Sequence, residues 1–596
     1  MNGKDDDVHA GEAIIPQRRA ITKVFIANRG EIALRIVRAA RDYGIASVVP
    51  YLQSESEALF VRLADQTYAL GHGGTNETYL SEDRMVAAAL ESGADAVHPG
   101  YGFLSEQVEF AEAVERSGLL WIGPPPRAIQ MLSNKVAAKR IAISVGAPVL
   151  DSPEEPITGT KELHRAIKEL GLPVVLKAAY GGGGRGMRVI RRLEDAEALL
   201  ETAQRESLAA FGRDEIFMER YLDRPRHIEI QILADHYGTV HAVGTRDCTL
   251  QRRYQKVIEE APAPLLPADT QFMLNESARA ICAAAGYTSA GTVEFLVGQD
   301  GSAAFLEVNT RLQVEHPVTE ATTGLDLVVA QFRIAEGDPL WLTQSDLTPK
   351  GHAFEFRINA EDPTTGFLPS SGRLERLRLP SGPGVRVDSG LGEGDTVDGR
   401  FDSLIAKLIV VGIDRDEALR RSQRALEELE IHGVETLLPL HKRILAHSDF
   451  HDTTDGTLNV YNTWIESDLL VNDTFQSTSP ANEPSQILIG GREVAVRLPH
   501  GIKHHGLARR STHLRDNSDP ATQGVVRSPM QGTVASLYVT NGSMVREGEP
   551  ICGIEAMKME NLLRAPIDGI VSELSVIPGS SVRRNMIVCH LTQEQQ

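Results

Sequence analysis

Two kinds of hydrophobic periodicity divide this chain. Residues 23–27 form an apolar run of buried-strand length, and Ile32, Ile36 and Ala40 then recur at helical spacing. A second apolar run occupies residues 46–49, and the alternation continues to about residue 125, which predicts a small α/β sheet domain. Beyond residue 172 strand-like segments follow one another at 172–177, 187–190, 215–222 and 226–232, the last with strict apolar/polar alternation. Residues 291–295 and 305–311 are two more, joined by the turn Gly298-Gln299-Asp300-Gly301, and predict a hairpin. The C-terminal stretch is an internal repeat. Pro529, Gly532, Val539, Gly542 and Val545 recur 37 positions later as Pro566, Gly569, Val576, Gly579 and Val582, with Ile551 matched by Val588. Two such β halves predict one flattened barrel of quasi-twofold symmetry. Between the regions, residues 467–485 are rich in Ser, Thr, Asn and Pro and break the periodicity, and residues 487–498 read as a hairpin around Gly490-Gly491.

Composition changes this picture little. At 596 residues the chain has room for several domains, at roughly 150 residues each. A net charge of −20 argues against sequence-independent binding to nucleic acid. Cys248, Cys282, Cys552 and Cys589 are scattered, with no C-x-x-C pair, which fits a reducing cytosol and neither a zinc site nor a disulfide scaffold. Residues 1–20 are acidic at the start, lack an apolar signal core and read as disordered. No apolar run of about 18 residues exists, so no membrane span is expected.

Three patterns carry chemistry. Residues 180–187 hold five glycines in six positions between two strands, including Gly183 and Gly184. Such backbone folds closely over phosphate oxygens, although a Gly run elsewhere is usually a linker. No G-K-[ST] closes it, and no G-x-G-x-x-G follows a first strand, so neither a Walker A loop nor a nicotinamide fingerprint is present. Glu294 and Glu307 fall on the two strands of the predicted hairpin among apolar neighbours. Paired carboxylates in a sheet interior repel each other, and a divalent cation held by oxygen ligands resolves the conflict, with a surface hairpin as the plain alternative. Lys558 lies between Met557 and Met559 where the two barrel halves join. Large thioethers flanking an exposed lysine are a poor choice for a merely solvated turn.

The segment Ala556-Met557-Lys558-Met559 and its repeat resemble the biotinyl (biotin carboxyl carrier) domain, in which that lysine carries biotin. Residues 21–465 resemble biotin carboxylase. The likeness rests on residues 98–106 (His-Pro-Gly-Tyr-Gly-Phe-Leu-Ser-Glu), residues 309–320 (Asn-Thr-Arg-Leu-Gln-Val-Glu-His-Pro-Val-Thr-Glu), residues 351–362 and residues 401–408. The resemblance implies an α/β multidomain chain. A disordered N-terminus (1–20) precedes a Rossmann-like α/β domain (21–134), an ATP-grasp domain (135–345) and an α+β carboxylase C-terminal domain (346–466). A linker with a short β-hairpin (467–524) then leads to an all-β flattened-barrel biotinyl domain (525–593).

It also implies roles. Lys135, Lys177, Gly183 and Gly184 would hold the ATP phosphates, Glu219 and Leu222 the adenine, and His227 the ribose region. Glu294 and Glu307, with Asn309, would hold Mg²⁺ or Mn²⁺. Lys256, Arg311, Gln313 and the backbone of Val314 would bind bicarbonate, Glu315 would be the general base, and Arg357 would stabilise negative charge on biotin. Lys558 would carry the biotin. Tyr254 stands where many relatives have His and is expected to have no phosphate role.

The expected activity is ATP- and bicarbonate-dependent carboxylation of biotin on the chain's own carrier domain. The carboxyl group would pass to a short-chain acyl-CoA, acetyl- or propionyl-CoA, on a separate carboxyltransferase beta subunit. About 130 residues after position 465 are too few for a carboxyltransferase domain. The implied setting is a cytoplasmic homo-oligomer inside a hetero-oligomeric complex, loaded by biotin protein ligase, with no nucleic-acid or membrane partner. The alternatives are an alpha chain of methylcrotonyl-CoA carboxylase or a split pyruvate carboxylase, and, from another class, a non-catalytic biotin carrier.

Overall fold

The computed structural model describes residues 18–153, 155–178, 187–211, 215–451, 458–471, 485–489, 492–496, 524–530, 532–556, 559–583 and 585–592. Gly183, Gly184, Lys558 and most of the expected linker lie outside the described residues.

The N-terminal alternation resolves into a five-stranded parallel sheet. Its order is Gln66–Ala69, Ala46–Tyr51, Lys23–Ile26, Ala96–His98, Leu120–Trp121. The inner strands Ala46–Tyr51, Lys23–Ile26 and Ala96–His98 are largely buried, as parallel strands covered on both faces are, while the edge strand Gln66–Ala69 is mostly exposed. The Gly30–Tyr43 helix turns Ile32, Ile36 and Ala40 inward, as their spacing predicts. Gly44 ends it in the left-handed region at φ 87°, where its N–H reaches the last carbonyls.

A three-stranded antiparallel sheet (Arg188–Ile190, Val174–Ala178, Ile216–Arg220) follows. The helices Thr160–Leu170 and Ala196–Phe211 help close a separate small core around Leu163, Leu176 and Met218.

The largest element is an eight-stranded antiparallel sheet. Its order is Ala303–Asn309, Ser289–Val297, Arg226–Ala234, Val240–Arg252, Gln255–Ala261, His352–Asn359, Leu404–Gly412, Val385–Ser389. It runs without a break through the segments expected as 135–345 and 346–466, because Gln255–Ala261 pairs with His352–Asn359. The hairpin read at residues 291–311 is present as Ser289–Val297 against Ala303–Asn309.

The alternating strand Arg226–Ala234 differs from the simplest reading of its pattern, since all nine residues are buried. Ile228, Ile230 and Ile232 enter an apolar cluster with Phe295 and Val293. Alternation sends His227, Glu229 and Gln231 to the opposite face, and that face is buried as well. A polar face without water must find partners within the protein, and this requirement creates the site described below.

The C-terminal region is a separate all-β unit of two four-stranded sheets, 525–527/587–592/569–572/544–545 and 559–564/550–556/532–537/581–582. The sequence repeat is its packing plan. Val534, Val539, Val545, Ile551 and Cys552 are buried, and so are Val571, Val576, Val582, Val588 and Cys589, each 37 positions on. Gly542 and Gly579, also a repeat pair, take φ 92° and 88°, a turn conformation that side chains disfavour. The strands Pro550–Ala556 and Met559–Arg564 pair with Ala556 opposite Met559. The hairpin read at residues 487–498 is present as Ser485–Ile489 against Arg492–Val496.

Candidate active site

The centre of the site is a row of charges set by strand register. Glu229 has Arg246 as its cross-strand partner on one side and Glu294 on the other, and Glu294 is in turn opposite Glu307. Cross-strand partners lie about 5 Å apart, so three carboxylates on one face demand compensation.

Cations supply it. Arg246, fully buried, reaches Glu229 at 3.0 Å and donates to Gln231, Thr292 and Thr319. Lys256 Nζ contacts Glu229 and lies 3.0 Å from Glu294 and 2.7 Å from Glu315. Burial would lower the Lys256 pKa, but the three carboxylates raise it well above its ordinary value. Burial acts likewise on His227, and Glu294 at 3.0 Å together with Glu229 at 3.4 Å overcomes it, lifting the imidazole to about 9. Burial pushes Glu229 up, while Lys256, His227 and Arg246 bring it well below 4.5.

Glu315 sits at the end of this network with no exposed surface. Lys256 holds one oxygen at 2.7 Å, and Arg357 Nη2 donates to the other at 2.8 Å. Burial raises its pKa, and these cations more than offset it, so Glu315 is an anion. Arg357 Nε also donates to Glu259 at 2.6 Å. Next to Glu315, Arg311 donates to Glu106 (2.9 Å), to the Gln313 side chain (2.9 Å) and to Asn309 (3.3 Å). Asn309 and Gln313 donate in turn to Glu294, at 2.7 and 3.4 Å. The expected bicarbonate residues Lys256, Arg311 and Gln313, the base Glu315 and Arg357 therefore form one connected cluster.

The expected nucleotide residues separate into two groups. Lys177 and Lys139 share Glu219, at 2.5 and 3.1 Å, and Leu222 follows on the same connector, half-buried. Lys135 instead pairs with Glu307 at 3.2 Å. His227 stands with Glu229 and Glu294. Tyr254 occupies an exposed two-residue turn with Arg253, both at positive φ.

The donor set suits a divalent cation. Glu294 and Glu307 are register partners, Asn309 adds an amide oxygen, and Glu307 is one-third exposed with Lys135 as its cation. Hard oxygen ligands on adjacent strands match Mg²⁺. Donor atoms of His227, Glu229 and Glu294 also converge within 4.8 Å of one another.

Sequence reasoning assigned nothing to Glu229, Arg246, Lys139, Glu106 or Glu259. The signal for Glu229 was present, since polar residues alternating with isoleucines are ambiguous only until both faces of the strand are covered. Arg246 and Glu259 depend on long-range register, which leaves no local trace.

Known proteins match most of the chain. Residues 20–129 match the family described as "Biotin carboxylase, N-terminal domain" and residues 134–343 "Carbamoyl-phosphate synthase L chain, ATP binding domain". Residues 355–466 match "Biotin carboxylase C-terminal domain" and residues 524–591 "Biotin-requiring enzyme". The biotin-dependent acyl-coenzyme A carboxylase alpha3 subunit of Mycobacterium leprae is 47% identical over 563 residues, covering 91% of this chain and 94% of the relative. The biotin carboxylase of Haemophilus influenzae is 45% identical, over 76% of this chain and all of its own length. Among solved structures, the biotin carboxylase domain of 2-oxoglutarate carboxylase from Hydrogenobacter thermophilus, in complex with MgADP and bicarbonate, superposes with a TM-score of 0.71. It is 42% identical and covers 77% of this chain and all of that one. No described helix is long and apolar enough to cross a membrane. A carboxylase core with its charges in register, followed by a carrier barrel, makes this chain a member of the biotin-dependent carboxylase alpha-chain family, a biotin carboxylase fused to its own biotinyl domain.

Proposed function

We propose that this chain carboxylates the biotin on Lys558 and delivers the carboxyl group, through a separate carboxyltransferase beta subunit, to acetyl- or propionyl-CoA. The observation that carries the catalytic part is Glu315, buried and anionic between Lys256 and Arg357 and adjacent to the Arg311–Gln313 pair.

Bicarbonate is an anion and a poor electrophile, so the site must first attract it and then make it nucleophilic toward phosphorus. Arg311, Lys256 and the Gln313 amide supply the attraction. Lys256 is shared among Glu229, Glu294 and Glu315, so an incoming anion that recruits it removes one cation from Glu315. The proton affinity of Glu315 then rises at the moment a proton must be accepted. The bicarbonate oxygen attacks the γ-phosphorus and ADP leaves with the bridging oxygen. The resulting carboxyphosphate breaks its C–O bond to release CO₂ and phosphate within the pocket. Lys135 and Lys177 would balance charge on the phosphates during transfer, where positioning and electrostatics provide most of the rate. Mg²⁺, held by Glu294, Glu307 and Asn309, would neutralise phosphate charge, and biotin supplies the nitrogen that accepts the carboxyl group. Arg357 also donates to Glu259, so it stays in place when Glu315 takes up a proton, and it faces negative charge developing on the acceptor.

The acyl-CoA assignment rests on the near full-length likeness to an acyl-CoA carboxylase alpha subunit. Four buried, free cysteines suit a reducing cytosol. The reading includes a biotin protein ligase as loading partner and a homo-oligomer within the larger complex. Its test is bicarbonate- and free-biotin-dependent ATP hydrolysis by Glu315→Gln. We expect a loss of at least about 100-fold with folding intact, and a wild-type rate would remove Glu315 from the base role. Co-purification with a beta subunit, followed by assay across acyl-CoA lengths, tests the acceptor. Turnover only with methylcrotonyl-CoA or pyruvate would overturn that part.

A further inference from the structure

Two buried side chains that touch none of the expected substrate groups hold the loop that does. Lys407 lies on the Leu404–Gly412 strand, directly across from Arg357, and has no exposed surface. Its Nζ donates to the Val314 carbonyl at 2.9 Å and pairs with Glu31 at 3.1 Å, which Tyr101 also hydrogen-bonds at 2.5 Å. Arg357 and Lys407, neighbours on adjacent strands, thus hold consecutive loop residues, Arg357 by the Glu315 carboxylate and Lys407 by the Val314 carbonyl. His316, equally buried, has Nδ1 2.7 Å from the Gln313 carbonyl. A carbonyl accepts only from N–H, so Nδ1 carries the proton. Burial, with Lys407, Arg35 and Arg386 nearby, keeps the ring neutral, and Nε2 is left without a hydrogen-bond partner.

Peptide planarity converts these two contacts into a directional device. In a trans peptide the N–H points opposite to the preceding C=O, and neither peptide here is cis. Pinning the Gln313 carbonyl therefore turns the Val314 N–H away from His316. Pinning the Val314 carbonyl turns the Glu315 N–H away from Lys407. Neither N–H has an acceptor among the described residues. Two adjacent unpaired backbone donors, beside Arg311 and the Gln313 amide, are a ready anion cradle, since buried N–H groups seldom remain unpaired.

We propose that Lys407 and His316 are positioning residues for bicarbonate, fixing the Val314 and Glu315 N–H groups as its backbone donors. This rests on the assignment of Arg311, Gln313 and Val314 to bicarbonate.

The test is steady-state kinetics of the full chain with free biotin, reading KM for bicarbonate against KM for ATP and kcat. His316→Leu removes the donor, while His316→Asn places an amide N–H near the Nδ1 position. Lys407→Met is made together with Glu31→Gln, so that no buried carboxylate is left unpaired. A thermal shift with MgATP confirms that each variant is folded. We expect His316→Leu and the double variant each to raise KM for bicarbonate by about ten-fold or more, with KM for ATP within about two-fold of wild type. His316→Asn should recover most of the loss. Equal effects on both substrates, failure of Asn to rescue, or a wild-type bicarbonate KM in the double variant would each overturn the proposal. Each arm pins a different peptide, so either decides the question if the other variant does not fold. Arg311→Gln separates the two levels. If it leaves bicarbonate KM unchanged, the site assignment itself is at fault. If it raises that KM while the His316 and Lys407 variants do not, only the positioning role falls.

Discussion

Glu259 and Glu260 are consecutive on one strand, equally buried, and shifted in opposite directions. Burial pushes both up. Glu260 faces Arg415 at 2.8 Å and His352 at 2.7 Å, which overcome burial and bring it down to about 2. Glu259 is the register partner of Glu355 and has Arg357 as its cation, and it stays up at about 7. Glu355 has no hydrogen-bond partner at either oxygen and is held far above 4.5 chiefly by burial, so it is a neutral acid. The stability consequences have opposite signs. A lowered folded-state pKa means that the Glu260 contribution is full above about 4.5 and is lost as pH falls toward 2. For Glu259, raised to about 7, stability is full below about 4.5 and declines as pH rises through 7. Glu260→Gln should therefore cost roughly 3 kcal/mol at pH 7, with the difference from wild type shrinking below pH 4.5. Urea melts at several pH values check this, and a pH-independent difference would show that charge is not the cause. At this scale the sequence was informative where a motif spans few residues, as for Arg311, Gln313 and Glu315, which fall within five positions. Arg246 was not read, because it acquires meaning only from Glu229 on the neighbouring strand, and the alternation around Glu229 stays ambiguous until both faces of that strand are covered.

At the level of elements, the hairpin of Ser289–Val297 and Ala303–Asn309 is the part of the site most legible beforehand, being local in sequence and closed by a Gly-bounded turn. The eight-stranded sheet was not legible. Its central pairing joins residues about 100 positions apart, and such contacts leave no short-range pattern. The two facts meet in the carboxylate row. The hairpin alone places Glu294 beside Glu307, and the sequence argument required a metal to reconcile them. The full sheet supplies further compensation through Lys256 and His227 on Glu294, and the helix beginning at Lys135 adds that lysine on Glu307. The fold is therefore electrostatically closed around Glu294, while Glu307, more exposed, is the carboxylate free to exchange its lysine for an ion. Glu307→Gln should leave the thermal midpoint nearly unchanged and raise the Mg²⁺ concentration needed for half-maximal ATP turnover by about ten-fold. An unchanged Mg²⁺ titration would remove Glu307 from the metal site.

Across the whole molecule, two chemistries are carried by two units that fold for different reasons. The carboxylase region gathers charge onto one buried sheet face, and its pattern has no internal repetition. The biotinyl unit is built twice from one 37-residue plan, and this made its packing readable at Val539, Val545 and Ile551 and at their repeat partners Val576, Val582 and Val588, all buried. Among the described residues, the charged groups named for the carboxylase site lie between Glu106 and Lys407, and the core of the biotinyl unit is apolar. The activities should therefore separate cleanly. Lys558→Arg keeps the charge but offers no amine for amide formation, so streptavidin labelling of the full chain should disappear. Carboxylation of free biotin should continue within about two-fold of wild type, since every residue argued to bind ATP and bicarbonate is untouched. The converse variant, Glu315→Gln, should still be biotinylated to completion yet consume no ATP in response to bicarbonate. If Lys558→Arg abolished free-biotin turnover as well, the carrier would be a working part of the carboxylase site rather than its substrate, and the division of labour argued from the two cores would be wrong.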